Sequence, residues 1–157
     1  MSKIDTLVQD FLAQKRIAVV GVSDKRETGC NLGYRKFKEA GYTVCAVNPR
    51  LTTFESDPCY PDLKSIPEKP EAVFILANPK VTEQIVQQCV DLGIKHVWMH
   101  RAFGTGSVSE AATEYGRQRG ITVIDGGCPL MFDPTADGGH KAMRFWFTMT
   151  GKVPKRV

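Results

Sequence analysis

The segment from Gly21 to Arg26 holds residue types that suit a phosphate-bearing ligand. Gly21 ends a run of mostly β-branched apolar residues, Ile17 to Val20, and a polar loop with Lys25 then leads into a helical pattern. A glycine at a strand-to-helix turn lets the backbone approach a phosphate closely. The start of the helix adds unpaired N–H groups and a positive dipole end. This segment therefore predicts an anion site.

The glycine spacing and the end of the second strand argue against a plain NAD site. A dinucleotide fingerprint needs closely spaced glycines, whereas Gly21, Gly29 and Gly33 lie far apart. The second strand ends in Asn48-Pro49-Arg50 rather than in an acidic residue that would bind a ribose diol. An arginine at that position suits a phosphate on the adenosine ribose, as in NADP or coenzyme A (CoA).

Strand and helix patterns alternate along the chain, and the strands read as continuous apolar runs. Such runs are typical of a parallel sheet covered on both faces. We expect an α/β, Rossmann-like, doubly wound and mainly parallel sheet of about five strands, with helices on both faces. The predicted strands are 17–20, 42–47, 71–76, 94–99 and 121–124, and the predicted helices are 2–12, one ending near 40, 81–92 and one ending near 119.

Two polar segments contain no predicted strand. Residues 50–61 are expected to form a loop, and residues 62–66 a short helix. Ligands of open α/β sheets bind outside the carboxyl ends of the strands. This topology brings together the loops that follow the first three predicted strands, at 21–31, 48–52 and 78–80.

Length and composition predict a single domain over residues 1–157, with an N-terminal helix in 1–15 and a C-terminal extension at 130–157. The formal net charge of +4 is spread along the chain, so no nucleic-acid partner is indicated. The five cysteines include no Cys-x-x-Cys pair, which favours reduced thiols. No apolar run approaches the roughly 20 residues that span a bilayer. We expect a soluble cytoplasmic protein with no membrane partner.

Several short motifs together resemble the small CoA-binding domain family, the stand-alone relative of the N-terminal domain of the succinyl-CoA synthetase α subunit. The resemblance extends over roughly residues 10 to 130. The motifs that carry it are Gly21-Val-Ser23, Val47-Asn-Pro-Arg50, Tyr60-Pro-Asp-Leu63, His96-Val-Trp-Met99, Gly120-Ile-Thr-Val-Ile124 and Cys128-Pro129. The Val-Asn-Pro and Cys-Pro positions are the most specific of these.

This resemblance implies a Rossmann-like fold that binds CoA. No metal site is expected, because the spacing of the histidines, cysteines and acidic residues matches no known ligand pattern. The positions that would face the ligand are Gly21, Val22, Ser23, Lys25 and Arg26 at the diphosphate, Asn48, Pro49 and Arg50 at the adenosine, and Asn78 and Pro79 along the next wall. The C-terminal extension departs from the family pattern, which usually stops soon after Cys-Pro.

No nucleophile, base and orienting group form a recognisable set, so no catalytic residue is predicted. We expect a module that binds CoA or an acyl-CoA without catalysis of its own. The alternatives are a small NADP-dependent reductase and a CoA-transfer subunit that acts with a partner chain. A protein that senses CoA or redox state through Cys30 or Cys128 is a further hypothesis. A homodimer and a partner subunit both stay open.

Overall fold

In the computed structural model of the chain, residues 3–101 and 106–129 are described. The predicted C-terminal extension at 130–157 lies outside the described residues. No helix within these two ranges is long and apolar enough to cross a membrane.

The described residues form a seven-stranded sheet in the order β3-β4-β2-β1-β5-β6-β7. All neighbouring strands pair in parallel except β3 and β4, which are antiparallel. The strand order reverses between β1 and β5, which is therefore the switch point of a doubly wound sheet. The strands are β1 (Arg16–Val20), β2 (Thr43–Val47), β3 (Thr53–Phe54), β4 (Asp57–Tyr60), β5 (Ala72–Ile75), β6 (His96–Met99) and β7 (Thr122–Asp125).

The predicted α/β fold with a mainly parallel sheet is confirmed, but the sheet has more strands than the five expected. The two additional strands, β3 and β4, lie inside the segment predicted to be a loop. They form a hairpin whose two-residue turn is Glu55-Ser56, and β4 extends the sheet by pairing with β2. The segment 62–66 forms bends and a turn rather than the predicted helix, and the Asp62 carboxylate accepts the Ser65 N–H at 2.8 Å.

Four helices cover the two faces of the sheet. They are α1 (Lys3–Leu12), α2 (Gly29–Glu39), α3 (Pro79–Leu92) and α4 (Glu110–Gln118). Helices α1 and α2 bury Phe11 and Phe37 against one face of the sheet, in the same cluster as Trp98. Helices α3 and α4 bury Val86 and Ala112 against the other face. Alternation along each strand sends neighbouring side chains to opposite clusters, so both faces are apolar.

Gly21 lies where β1 passes closest to the segment that follows β5. Its φ is +117°, and a Cβ atom added there would lie 1.9 Å from the carbonyl oxygen of Leu76. No side chain fits at that distance, and L-residues rarely adopt that φ. The fold itself therefore requires glycine at the first turn, whatever ligand the turn binds.

Replacing Gly21 with alanine should destabilise the protein far more than replacing Gly41. Gly41 also has positive φ, +93°, but a Cβ there would meet nothing within 4 Å. We expect Gly41→Ala to lower the free energy of unfolding by about 1 kcal/mol through backbone strain, and Gly21→Ala by at least about 3 kcal/mol through strain and steric clash. Urea unfolding of both variants measures the difference, and equal losses would contradict the steric argument.

Candidate functional site

Three loops meet at the carboxyl edge of the sheet around the switch point. Hydrogen bonds run from Gly21 N–H to the Val47 carbonyl at 3.2 Å and from Leu76 N–H to the Val20 carbonyl at 2.9 Å. The loop after β1 is thus joined to the end of β2 on one side and to the end of β5 on the other. The structure brings together the three segments that the sequence indicated.

The Asn31 side chain holds the loop after β1 in shape from the first turn of α2. Its Oδ1 accepts the Ser23 N–H at 2.8 Å, and its Nδ2 donates to the carbonyls of Ser23 and Arg26 at 2.8 and 3.3 Å. Thr28, the N-cap of α2, also donates its hydroxyl to Oδ1 at 3.1 Å. Asn31 is only 2% exposed, so this loop is closed around a buried amide.

Asn48 connects the loops after β1 and β2. Its Nδ2 donates to the Val22 carbonyl at 2.8 Å, and its Oδ1 accepts the Arg50 N–H at 2.8 Å. Both ends of the amide are therefore occupied by the protein's own backbone. Pro49 and Arg50 are exposed beyond it.

Asn78 and Pro79 begin helix α3 after β5. The Asn78 side chain caps the helix by accepting the Val81 N–H at 3.0 Å, and Pro79 occupies the first turn. The preceding residue, Ala77, donates its N–H to the buried Ser107 hydroxyl at 2.9 Å. Asn78 and Pro79, both predicted site residues, thus have a clear structural role in shaping the third loop.

The three cationic side chains predicted for the site, Lys25, Arg26 and Arg50, are exposed. Within the described part of the chain, no carboxylate pairs with any of them. Beside the first loop is an open cavity of about 360 Å³. Its lining comprises Ser23, Asp24, Lys25, Arg26, Glu27, Asn31, Arg35, Thr53, Phe54 and Glu55. Lys25 and Arg26 line this cavity without a carboxylate partner, an arrangement that suits an anionic ligand, whereas Arg50 lies outside the lining.

The Ser23 hydroxyl is arranged to donate a hydrogen bond. Its Oγ accepts the Lys25 N–H at 3.2 Å, which leaves the hydroxyl proton available for an acceptor on a ligand. The N–H groups of Gly21 and Ser23, by contrast, are already used by the Val47 carbonyl and by Asn31. A phosphate at this loop would therefore meet the Ser23 hydroxyl and neighbouring cations rather than those two amides.

The cysteines raised as redox candidates are buried in the core. Cys30 is 0% exposed, and its thiol donates to the Val20 carbonyl at 3.3 Å. Burial, together with the nearby Cys128, raises the pKa of the Cys30 thiol well above its usual value. A neutral, buried thiol is a poor nucleophile. The geometry thus gives no support to the hypothesis of a sensor that acts through Cys30.

Sequence reasoning overlooked three residues that shape the site: Thr28, Asn31 and Arg35. Thr28 carried a readable signal, since threonine is a preferred helix N-cap residue. Asn31 did not, because its partners in the loop, Ser23 and Arg26, lie eight and five positions away. Arg35 carried no such signal, because its partners, Glu27 and Glu55, lie 8 and 20 positions away.

Comparison with known proteins places this chain in a family. The model of the CoA binding domain family matches residues 15–134. The chain therefore belongs to that family.

Individual relatives agree with this assignment. An ADP-forming acetate–CoA ligase I from Archaeoglobus fulgidus is 27% identical over 112 residues, which is 65% of this chain and 16% of the ligase. The uncharacterized protein YneT from Bacillus subtilis is 26% identical over 110 residues, 70% of this chain and 78% of YneT. A hypothetical protein from Pyrococcus horikoshii OT3 superposes with a TM-score of 0.73 at 28% identity, covering 80% of this chain and 86% of that one.

Replacing Asn31 with alanine should open the loop after β1. Three backbone groups of the loop would lose their partner, so we expect the free energy of unfolding to fall by about 2 kcal/mol. Asn78→Ala is the matched control, because it removes one helix cap and should cost about 1 kcal/mol. Urea unfolding compares the two variants, and a smaller loss for Asn31→Ala than for Asn78→Ala would refute the assigned role.

Proposed function

We propose that this protein binds CoA or an acyl-CoA as a stand-alone module and performs no catalysis of its own. The observation that carries the proposal is the group of unpaired cations, Lys25, Arg26 and Arg50, around loops that the protein's own hydrogen bonds hold in place. CoA carries a diphosphate and a ribose 3′-phosphate, so its charge matches such a site. Membership of the CoA binding domain family supports the same ligand.

In the proposed complex the diphosphate lies at the loop after β1. The Ser23 hydroxyl faces it, with Lys25 and Arg26 supplying charge. The N–H groups of Gly21 and Ser23 stay bonded to the Val47 carbonyl and to Asn31, so the backbone there shapes the turn. The first turn of α2, which follows this loop directly, directs its positive dipole end to the same place.

The adenosine end of the ligand lies at the loop after β2 in this proposal. Pro49 and Arg50 flank the adenosine, and Arg50 binds the ribose phosphate. Asn48 contributes by fixing the Arg50 backbone rather than through a free amide. Asn78 and Pro79 line the far wall through the start of α3.

The family assignment favours CoA over NADP, the alternative that the arginine after β2 left open.

One relative supports a second candidate function. The matched region is a small part, 16%, of an ADP-forming acetate–CoA ligase. A CoA-handling subunit that acts with a partner chain would carry the same loops, and an acyl-CoA-forming activity that appears only with a co-purified partner would distinguish it.

The ligand is identified by native mass spectrometry of the purified protein titrated separately with CoA, NADP and NAD. We expect a CoA complex at concentrations where NADP and NAD leave the protein free, because the site belongs to a CoA binding domain. Binding of NADP without binding of CoA would overturn the proposal.

Arg50→Ala should weaken the binding of CoA about tenfold and leave the binding of dephospho-CoA nearly unchanged, because one charge-assisted contact to the ribose phosphate is lost. Lys64→Ala removes the same charge from an exposed position in the segment 61–70 and serves as control. Isothermal titration calorimetry measures the four affinities. Equal losses for CoA and dephospho-CoA would show that Arg50 does not contact that phosphate.

A further inference from the structure

Arg35, in the second turn of α2, is held by two carboxylates. Its Nε donates to Glu55 Oε1 at 2.6 Å, and its Nη2 donates to Glu27 Oε2 at 3.2 Å. A second bond from Nη1 to Glu27 Oε1 makes the Glu27 pair bidentate. Such a fork fixes the direction as well as the distance of both partners.

The two carboxylates belong to different parts of the site. Glu27 lies in the loop after β1, next to Arg26, and Glu55 lies in the turn between β3 and β4. Arg35 therefore ties the proposed diphosphate loop to a hairpin at the edge of the sheet. The neighbouring ion pair on the same helix, Lys36 with Glu39, joins two residues of α2 and connects no loop.

The hairpin provides a fixed point for this connection. Glu55 and Ser56 have φ values of +48° and +69°, the positive-φ conformation that a two-residue hairpin turn requires. Next to that turn, the Tyr34 hydroxyl donates to the Asp57 carboxylate at 2.6 Å, and Lys38 pairs with the same carboxylate. Helix α2 thus anchors the hairpin through three side chains, at the turn itself and at the first residue of β4.

Arg35 also changes the charge that a ligand meets. Glu27 is exposed and stands beside the proposed phosphate position, where an unpaired carboxylate would repel the ligand. The hydrogen bonds from Arg35 lower the pKa of Glu27, so this carboxylate is ionised and paired. With Glu27 paired to Arg35, the remaining charged side chains of the loop are Asp24, Lys25 and Arg26, which together carry a net charge of +1.

We propose that Arg35 is a positioning residue for the phosphate end of the ligand. It acts through Glu27, which it holds and whose charge it offsets in part, and through Glu55, which anchors it to the hairpin; it does not contact the phosphate. This inference rests on the proposed function for its ligand, and on the ion pairs of Arg35 for the connection itself.

The test compares Arg35→Met with Lys36→Met, which removes the same charge from the next residue of α2. Without ligand, amide hydrogen exchange of residues 23–28 should be about tenfold faster in Arg35→Met and unchanged in Lys36→Met. With ligand, CoA and adenosine 3′,5′-bisphosphate should bind about five- to tenfold more weakly to Arg35→Met, while pantetheine binding is unchanged. A structural role alone would move the unfolding midpoint without this discrimination between ligands.

Glu55→Asn separates positioning from direct contact. Asparagine tolerates the positive φ but is too short to reach Arg35. If Arg35 positions the loop, Glu55→Asn weakens the binding of CoA. The double variant with Arg35→Met and Glu55→Asn then binds CoA no more weakly than Arg35→Met alone. If Arg35 contacts the phosphate, freeing it raises the affinity, which would overturn the proposal.

Each result bears on one claim. Unchanged hydrogen exchange in Arg35→Met overturns the positioning role, whether or not CoA binds. Failure of the unaltered protein to bind CoA overturns the proposed function, while the exchange data still decide whether Arg35 holds the loop.

Discussion

The close approach of Gly21 to the Leu76 carbonyl determines the geometry of the site. The two strands at the switch point, β1 and β5, pair in register up to Val20 and Ile75. The chain that leaves β1 must turn away at the next residue, Gly21. A Cβ 1.9 Å from a carbonyl oxygen is impossible, so only glycine allows the turn. Because the turn starts there, the loop passes within reach of Asn31 on one side and Asn48 on the other. A glycine that reads as a phosphate-binding residue is, in the first place, a packing requirement.

Each of the three loops at this edge is shaped by one asparagine. Asn31 closes the loop after β1, Asn48 joins that loop to the one after β2, and Asn78 starts the helix after β5. An asparagine amide carries both a donor and an acceptor, so one side chain can satisfy two backbone groups of opposite kind. The site is therefore largely formed before a ligand arrives, which reduces the ordering that binding requires.

The sequence was a good guide to the parallel sheet and its switch point, because buried strands must be apolar on both faces and glycine or proline follows most of them closely. It was a poor guide to the hairpin of β3 and β4. Glu55-Ser56 lacks the Asn-Gly signal of a two-residue turn, and Pro58 within the segment argued against a strand. Asn31 was also missed, since burial of a helical asparagine depends on a loop eight positions away. The candidate loops were thus predictable, while the contacts that shape them depend on tertiary structure.

The basic side chains near the first loop divide into two kinds with different consequences. Arg35 gives its donors to two carboxylates, so its charge is cancelled and its geometry fixed. Lys25 and Arg26 have no carboxylate partner within the described ranges, so their charge extends towards solvent. A phosphate binds more favourably to a cation that has no carboxylate partner, because no existing ion pair must be broken first. The paired arginine therefore suits holding the loop, and the unpaired cations suit binding the ligand.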